Sequence, residues 1–460
     1  MTEIRRNFDI EELVQLDGEH HYHPFTDSKG LQNEGGTRII SRAEGVYLYD
    51  GENKRILDGM AGLWCVNIGY GRDELADVAY RQMKELPYYN TFFKTAHPPS
   101  IELAAKIASL LPDNFNKIFF ANSGSEANDT QIRTVHHYWQ CMGKPEKHHI
   151  ISRENGYHGS TVAAATLGGM KPMHKQGGDL IPTIHRIMEP NHFKNGGDMT
   201  PEEFGRHAAK ALEDKILELG PENVGAFIGE PVQGAGGVVI PPDSYWPEIN
   251  RICKEYDILL ICDEVICGFG RTGNWFGFQT FGIEPDLITM AKGLSSGYMP
   301  ISATAMSDRV ADTIIEKGGE FFHGYTYSGH PVACAVALRN IEIIEREGLV
   351  DHVRNVAGPH MAKRLKEFDD HPIVAQTRSV GLLGAIELVL NQETRERPTP
   401  DGKMGLACRD HFLSRTAIQR ACGDTMVASP PLIITTEQID ELMAVARECL
   451  DATARDFGVM

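Results

Sequence analysis

The chain has 460 residues, of which 42% are hydrophobic and 23% charged, a composition typical of a globular protein of roughly two to four domains. Its formal net charge of −18 argues against a nucleic-acid partner and against an anionic membrane surface. Nine scattered cysteines without a Cys-x-x-Cys pair indicate reduced thiols, and the N-terminus lacks the apolar stretch of a signal peptide, so we expect a cytoplasmic protein with no membrane partner.

The predicted elements begin with a hairpin, since residues 45–51 read as a strand that runs into an Asp-Gly turn and residues 55–59 as its partner. From about residue 70 short apolar strands alternate with helices, which predicts an α/β fold with a mostly parallel sheet covered on both faces. The strands are predicted at 117–121, 149–152, 224–229, 258–262 and 287–291, and the helices at about 73–86, 100–111, 126–142 and 331–346.

The character of the sequence changes again after about residue 331, where mixed strands and amphipathic helices follow a long helix. We interpret this part, together with the N-terminal hairpin, as a second, smaller α+β domain. The predicted division is residues 1–65 as the N-terminal segment of the small domain, 66–330 as the large domain and 331–460 as the C-terminal part of the small domain.

Two ionisable residues stand at the ends of predicted strands. Lys292 follows the apolar run 286–291, and Asp263 follows the run 258–262. Burying an unpaired ammonium is costly, and the cost falls if the amine becomes an imine or if its pKa drops. A pyridinium nitrogen would likewise give a buried carboxylate a partner. An amine placed to attack a carbonyl, with a carboxylate on a similar strand end, is what a pyridoxal phosphate enzyme requires.

A turn between a predicted strand and a predicted helix, residues 122–128, carries Ser123, Gly124 and Ser125. Glycine allows a tight turn, and the helix start supplies unpaired amides and a positive dipole end, so this turn could bind a phosphate. An ordinary N-cap would also satisfy the same residues.

Two further strand ends carry candidate residues. Tyr157 and His158 lie on a turn-rich loop, where an aromatic ring could stack on a flat heterocycle or simply lie at the surface. Glu230 ends a strand before a Gly-rich turn, where it could orient active-site groups or serve as a local cap or ion pair.

Other patterns in the sequence do not predict a site. Residues 268–273 spell Gly-x-Gly-x-x-Gly, but the aromatic, Gly-broken segment that follows is not the helix a dinucleotide requires. The 19 histidines form no His-Glu-x-x-His or comparable spacing, so we expect no metal site.

In their order along the chain, these motifs resemble those of fold-type I, class III pyridoxal phosphate aminotransferases. With the pocket segments given below, the matching motifs extend from about residue 20 to 435. They are 122–128, 156–159, 229–231, 263–265, 284–286, 292–293 and 324–331.

The resemblance implies a role for each candidate. Lys292 would carry the cofactor and move a proton, Asp263 would bond the pyridine nitrogen, and Arg420 would grip a keto-acid carboxylate and swing aside for an amine. The implied cofactor-binding residues are Ser123, Gly124, Ser125, Tyr157, His158, Glu230, Asp263, Val265, Lys292 and, from the other subunit, Thr326. The implied substrate-binding residues are Trp64, Phe92, Tyr157 and Arg420, with Phe25 and Tyr325 from the neighbouring chain.

Within the class, segments 61–67, 89–93 and 420–424 are similar to those of ω-transaminases that use pyruvate. The resemblance therefore implies transfer of an amino group from an amine or ω-amino acid to pyruvate, through alternating pyridoxal and pyridoxamine phosphate forms, in a homodimer or dimer of dimers with shared sites. Three alternatives stay open. One is another reaction of the same cofactor fold (aminomutase, racemase or decarboxylase), another is a transaminase specific for putrescine, taurine or β-alanine, and the third is a non-enzymatic relative that binds the cofactor.

Overall fold

The five strands predicted in the middle of the chain all belong to one seven-stranded sheet in the computed structural model. The structure describes residues 8–460, so residues 1–7 of the predicted N-terminal segment lie outside the described residues. The strands are β1 (Ile40–Glu44), β2 (Tyr47–Asp50), β3 (Arg55–Asp58), β4 (Lys117–Ala121), β5 (His149–Arg153), β6 (Ile184–Ile187), β7 (Val224–Gly229), β8 (Leu259–Asp263), β9 (Leu287–Met290), β10 (Ser302–Met306), β11 (Val374–Val380), β12 (Leu383–Leu388), β13 (Ala417–Ile418), β14 (Arg420–Cys422) and β15 (Thr425–Ala428).

The central sheet has the strand order β4-β10-β9-β8-β7-β5-β6. Only β10 runs antiparallel to its neighbours, and the remaining strands all point in one direction. The predicted α/β class with a mostly parallel sheet is therefore confirmed. The sequence pattern did not predict β6 or β10, because the edge strand β6 has two consecutive polar residues, His185 and Arg186, between its isoleucines and β10 consists mostly of small residues.

Helices cover this sheet and the smaller ones, and local signals explain where several of them begin. Thr200 and Glu203, for example, form a capping box at the start of the helix that Pro201 opens. The helices are α1 (Ile10–His20), α2 (Ser28–Asn33), α3 (Ala61–Trp64), α4 (Asp73–Glu85), α5 (Pro98–Ala108), α6 (Gly124–Cys141), α7 (Val162–Leu167), α8 (Lys171–Lys175), α9 (His192–Asn195), α10 (Pro201–Leu219), α11 (Tyr245–Glu255), α12 (Gly277–Phe281), α13 (Asp308–Lys317), α14 (Pro331–Arg346), α15 (Leu349–His352), α16 (Gly358–Lys366), α17 (Lys403–Leu413) and α18 (Thr436–Asp456). A 3₁₀ turn spans Lys292–Leu294, and a π-helical turn spans Val353–Ala357. Among residues 8–460 no helix has both the length and the apolar character needed to span a membrane.

Two four-stranded sheets lie outside the central one, with the orders β1-β2-β3-β13 and β11-β12-β15-β14. Strand β13, from the C-terminal part of the chain, pairs in parallel with β3 of the N-terminal hairpin through Ala417 and Leu57. The two ends of the chain therefore share a sheet, while the domain boundaries at residues 65 and 330 stay predictions.

The parallel strands bring their carboxyl ends to one edge of the central sheet, which is where ligands bind in open α/β folds. Strand β8 ends at Asp263, β9 ends two residues before Lys292, and β4 leads into Gly124. The segments after β5 and β7 contribute Tyr157 and Glu230 to the same edge. Because β7, β8 and β9 are buried along their whole length, these positions are rigidly supported.

Candidate active site

A cavity of about 280 Å³ lies at this edge of the sheet. Every predicted cofactor-binding residue except Thr326 lines it, and so do Asn128, Ile266, Ser295, Met299, Pro300 and Ile301, which the sequence analysis did not single out. The structure therefore brings together in space residues that lie as far apart in the chain as 123 and 292.

Lys292 is the amine of this cavity. Burial lowers the pKa of its ammonium to about 8, although the negative charge of Asp263 acts in the opposite direction. Its Nζ lies 5.4 Å from the ring centroid of Trp64. The backbone of Lys292 is left-handed, with φ of 45°, which is strained for a residue with a side chain. Gly293 must follow, because a Cβ there would lie 2.5 Å from Asn67 Nδ2.

Asp263 is a buried carboxylate fixed by three donors. His158 Nδ1 and Asn128 Nδ2 donate to Oδ2 at 2.7 and 2.8 Å, and the backbone amide of Val265 donates to Oδ1 at 3.1 Å. The carboxylate therefore keeps one orientation toward the cavity, which suits it to hold a proton on a bound ring nitrogen.

Asn128 is a functional candidate that the sequence analysis did not identify. It is fully buried on α6, and its amide nitrogen also donates to the carbonyl of His158 at 2.7 Å. Asn128 thus connects Asp263 to the loop that carries His158. Its spacing in the sequence could have indicated this role, because position 128 is four residues after Gly124 and therefore lies on the same face of α6.

The turn between β4 and α6 forms an N-cap at the edge of the cavity. Ser123 Oγ accepts the amide hydrogen of Glu126 at 3.2 Å, which is an N-cap, and the Glu126 carboxylate accepts the amide hydrogen of Asn122 at 2.7 Å. The first amides of α6 still face the cavity edge as a helix N-terminus does. A Cβ at Gly124 would lie 3.2 Å from both Cγ atoms of Val265, so the close approach of Val265 leaves little room for a side chain at position 124.

The loop after β5 is held against that turn. The Ser160 amide donates to Ser125 Oγ at 3.0 Å, and a Cβ on Gly159, whose φ is +137°, would lie 2.5 Å from the same oxygen. Glu230 accepts the amide hydrogens of Tyr157 and Gly234 at 3.1 and 3.0 Å, and burial raises the pKa of its carboxyl group. Glu230 thus positions the Tyr157 loop through backbone hydrogen bonds.

The donor set of the cavity fits pyridoxal phosphate. A buried amine with a lowered pKa can bond an aldehyde carbon, and a fixed carboxylate can pair with a pyridine nitrogen. The helix N-terminus and Ser125 suit the phosphate, and Tyr157 and Val265 offer an aromatic and an apolar wall for a flat ring.

Trp64 and Arg420, both predicted to bind the substrate, do not line the cavity of Lys292. Trp64 is buried, and Arg420 starts β14 and lines a second cavity. The guanidinium carbon of Arg420 lies 4.6 Å from the Trp64 ring centroid, a distance typical of cation–π contacts. The Phe25 ring lies 6.5 Å from the ring of Tyr157 in the same chain, whereas the resemblance implies that Phe25 enters from the neighbouring chain.

Phe92, Tyr325 and Thr326, like Phe25, Trp64 and Arg420, do not line this cavity. Phe92 packs on Gly324, where a Cβ would lie 2.7 Å from the Phe92 ring, and Tyr325 Oη donates to the carbonyl of Glu126 at 2.9 Å. Thr326 is exposed on the same loop. The structure therefore groups Phe92, Tyr325 and Thr326 with one another rather than with Lys292 of their own chain.

The Gly-x-Gly-x-x-Gly segment 268–273 has a structural role. A helix of only five residues, α12, follows it. Arg271 is fully buried and donates to Asn67 Oδ1 at 2.8 Å and to the carbonyl of Pro430. This segment therefore links the central sheet to the C-terminal part of the chain and is not a dinucleotide turn.

Comparison with known proteins agrees with the site. A family model described as Aminotransferase class-III matches residues 31–450. A putrescine–pyruvate aminotransferase of Pseudomonas aeruginosa is 56% identical over 97% of this chain and 98% of its own length. An omega transaminase of Pseudomonas jessenii, solved in complex with PMP, is 42% identical with a TM-score of 0.94, over 97% of this chain and 99% of that chain. A transaminase solved with L-Ala is 44% identical with a TM-score of 0.89, over 91% of this chain and 99% of that chain.

The fold and the site define a fold-type I enzyme dependent on pyridoxal phosphate. More particularly, the chain belongs to the class III aminotransferase family, so it is an aminotransferase and its cofactor is pyridoxal 5′-phosphate.

Proposed function

We propose that this aminotransferase transfers the amino group of a primary amine or ω-amino acid to pyruvate, giving alanine and an aldehyde or ketone. The observation that carries the proposal is the pairing of Arg420 with Trp64, a cation for the carboxylate of a keto acid against an aromatic wall for an amine. The relative named for putrescine and pyruvate and the transaminase solved with L-Ala support the choice of keto acid, since alanine is the amino form of pyruvate.

The residues of the chain perform separate tasks in this reaction. Bound pyridoxal phosphate supplies a ring that withdraws electrons and acidifies the substrate Cα–H. Lys292, whose pKa of about 8 leaves part of it neutral near pH 8, accepts that proton at Nζ and returns it later. Asp263 keeps a proton on the ring nitrogen. Arg420 binds the carboxylate of pyruvate.

We also propose that two chains share each site, with Thr326 and Tyr325 of one chain reaching the cavity of its partner. Thr326 is exposed and does not line the cavity of its own chain, and both observations support this arrangement. Nine unpaired cysteines support a reducing location, the cytoplasm.

A donor panel with pyruvate tests the function. Alanine formation should be followed with putrescine, β-alanine, taurine and 1-phenylethylamine, and putrescine should be tested first because of the relative at 56% identity. The proposal requires alanine from at least one donor. A panel in which no donor gives alanine, while 2-oxoglutarate or another keto acid is aminated, would contradict the choice of pyruvate.

An amine-only half-reaction separates transfer from the other chemistries of this fold. A transaminase converts the cofactor stoichiometrically to its pyridoxamine form when an amine is added without a keto acid. An aminomutase, racemase or decarboxylase regenerates the aldehyde form in each turnover, so persistence of the aldehyde spectrum across the panel would argue against amino transfer.

A further inference from the structure

A cluster of one carboxylate and two imidazoles lies at the end of α1, outside the cavity around Lys292. Asp17 Oδ1 lies 3.0 Å from His21 Nδ1, and Asp17 Oδ2 lies 2.8 Å from His23 Nε2. The candidate ligand atoms lie within 4.8 Å of one another, and the two ring centroids are 4.2 Å apart. These side chains therefore already converge on one point.

Local structure explains the convergence. His21 is the C-cap of α1 and its backbone amide donates to the carbonyl of Asp17 four residues earlier, so the two side chains meet at the end of the helix. His23 precedes Pro24, which favours an extended backbone and turns the second ring back toward the helix. No metal motif is visible in the sequence because the three positions cross the end of a helix.

The chemistry of the three groups suits a transition-metal ion. Imidazole nitrogen and carboxylate oxygen are ligands of zinc-like ions, and bonds of 2.0–2.2 Å place neighbouring ligand atoms on a tetrahedral ion about 3.4 Å apart. The two carboxylate–imidazole distances, 2.8 and 3.0 Å, are slightly shorter than this, and all the candidate ligand atoms lie within 4.8 Å of one another. The His21 side chain is 61% exposed, so water has access to the remaining coordination position.

The charge of the cluster also favours a cation. The Asp17 carboxylate places a negative charge beside the two imidazole rings. The chain as a whole carries a net charge of −18, which attracts divalent cations to its surface.

We propose that Asp17, His21 and His23 bind a divalent transition-metal ion of the zinc class, with water completing the coordination. The ion takes the place of the protons that now join the carboxylate to the two rings. His23 stands two residues before Phe25, whose ring contacts Tyr157 at the mouth of the active site. The bound ion would therefore fix the turn that leads to the mouth of the cavity.

Cobalt(II) is the probe for this site, because its visible absorption reports tetrahedral nitrogen and oxygen ligands. We would titrate CoCl₂ into the holoenzyme without an affinity tag, and into the double variant His21→Asn/His23→Asn. Asp17→Asn is a second variant of nearly the same shape. His20→Asn is the matched control, since His20 adjoins the cluster, is 73% exposed and is not a ligand.

The proposal predicts one Co²⁺ per chain in the wild type and in His20→Asn. The double variant and Asp17→Asn should each lose at least about tenfold in affinity, or about 1.4 kcal/mol. The site is disproved if the wild type gives no tetrahedral Co²⁺ spectrum. It is also disproved if both ligand variants bind Co²⁺ as tightly as His20→Asn, since the Asp–His contacts would then be hydrogen bonds that only fix the turn.

Discussion

At the scale of single residues, the site depends on two charges held away from water. Burial removes water from the ammonium of Lys292 and destabilises its charged form. The negative charge of the nearby Asp263 carboxylate offsets part of this effect. Asp263 is in turn fixed by His158 and Asn128. The reactivity of the amine therefore depends on residues that never contact the substrate.

The lowered pKa of Lys292 predicts how the apoenzyme takes up its cofactor. The neutral amine is the nucleophile, so the rate should fall about tenfold per pH unit below the pKa and level off above it. With the pKa at about 8, the midpoint should lie near pH 8. Because Asp263 raises this pKa, Asp263→Asn should move the midpoint to lower pH. Stopped-flow absorbance measures the rate of cofactor uptake at each pH. A midpoint near pH 10.5, the ordinary pKa of lysine, would contradict the prediction.

Asn128 should act as a positioning residue. Asn128→Ala removes one donor to Asp263, and we expect kcat to fall about tenfold, or about 1.4 kcal/mol, with little change in the KM of the amine. Asn250→Ala is the matched control, because Asn250 is also buried and donates to the carbonyl of Gly282 away from the site. Equal kcat values in the two variants would show that Asn128 has only a packing role.

At the scale of elements, the site is formed where five strands end, and glycines allow these segments to approach closely. Sequence patterns predicted Lys292 and Asp263 because each follows a continuous apolar run. They did not predict Asn128, because its partner Asp263 is 135 residues away and only the fold brings the two together. They also missed β10, whose small residues are buried by neighbouring strands rather than by their own hydrophobicity.

The contact between the β4–α6 turn and the loop after β5 gives an element-scale prediction. A Cβ at Gly159 would press on Ser125, and its backbone has a positive φ. Gly143 also has a positive φ, but a Cβ there would have no atom within 4 Å, so Gly143→Ala carries only the backbone strain, about 1–2 kcal/mol. Gly159→Ala should weaken cofactor binding at least about tenfold relative to Gly143→Ala. Fluorescence titration with pyridoxal phosphate measures both, and equal dissociation constants would exclude a role for this contact.

At the scale of the whole molecule, one chain leaves large apolar side chains exposed near the predicted shared loop. Phe93 is 87% exposed, Phe322 79% and Tyr327 59%. Exposed apolar patches of this kind mark protein interfaces. The family resemblance assigned Thr326 to the site of the other subunit, but residue patterns alone could not, because that assignment depends on how two chains pack.

The shared site predicts that Thr326 affects cofactor binding although it lies outside its own chain's cavity. Thr326→Val should raise the dissociation constant of pyridoxal phosphate about tenfold by removing a hydroxyl from the phosphate. Thr313→Val on α13 is the control, since Thr313 only donates to the carbonyl of Arg309. Unchanged affinity in Thr326→Val, together with a monomeric mass in solution, would contradict shared sites.

The covalent attachment of the cofactor is the most direct test of the whole account. The holoenzyme should be reduced with borohydride, digested, and mapped by peptide mass. We predict that the pyridoxyl group is found on the peptide containing Lys292 and on no other, and that the label is absent from Lys292→Ala. A label on another lysine, or no label in the wild type, would contradict the assignment of Lys292 as the residue that binds the cofactor.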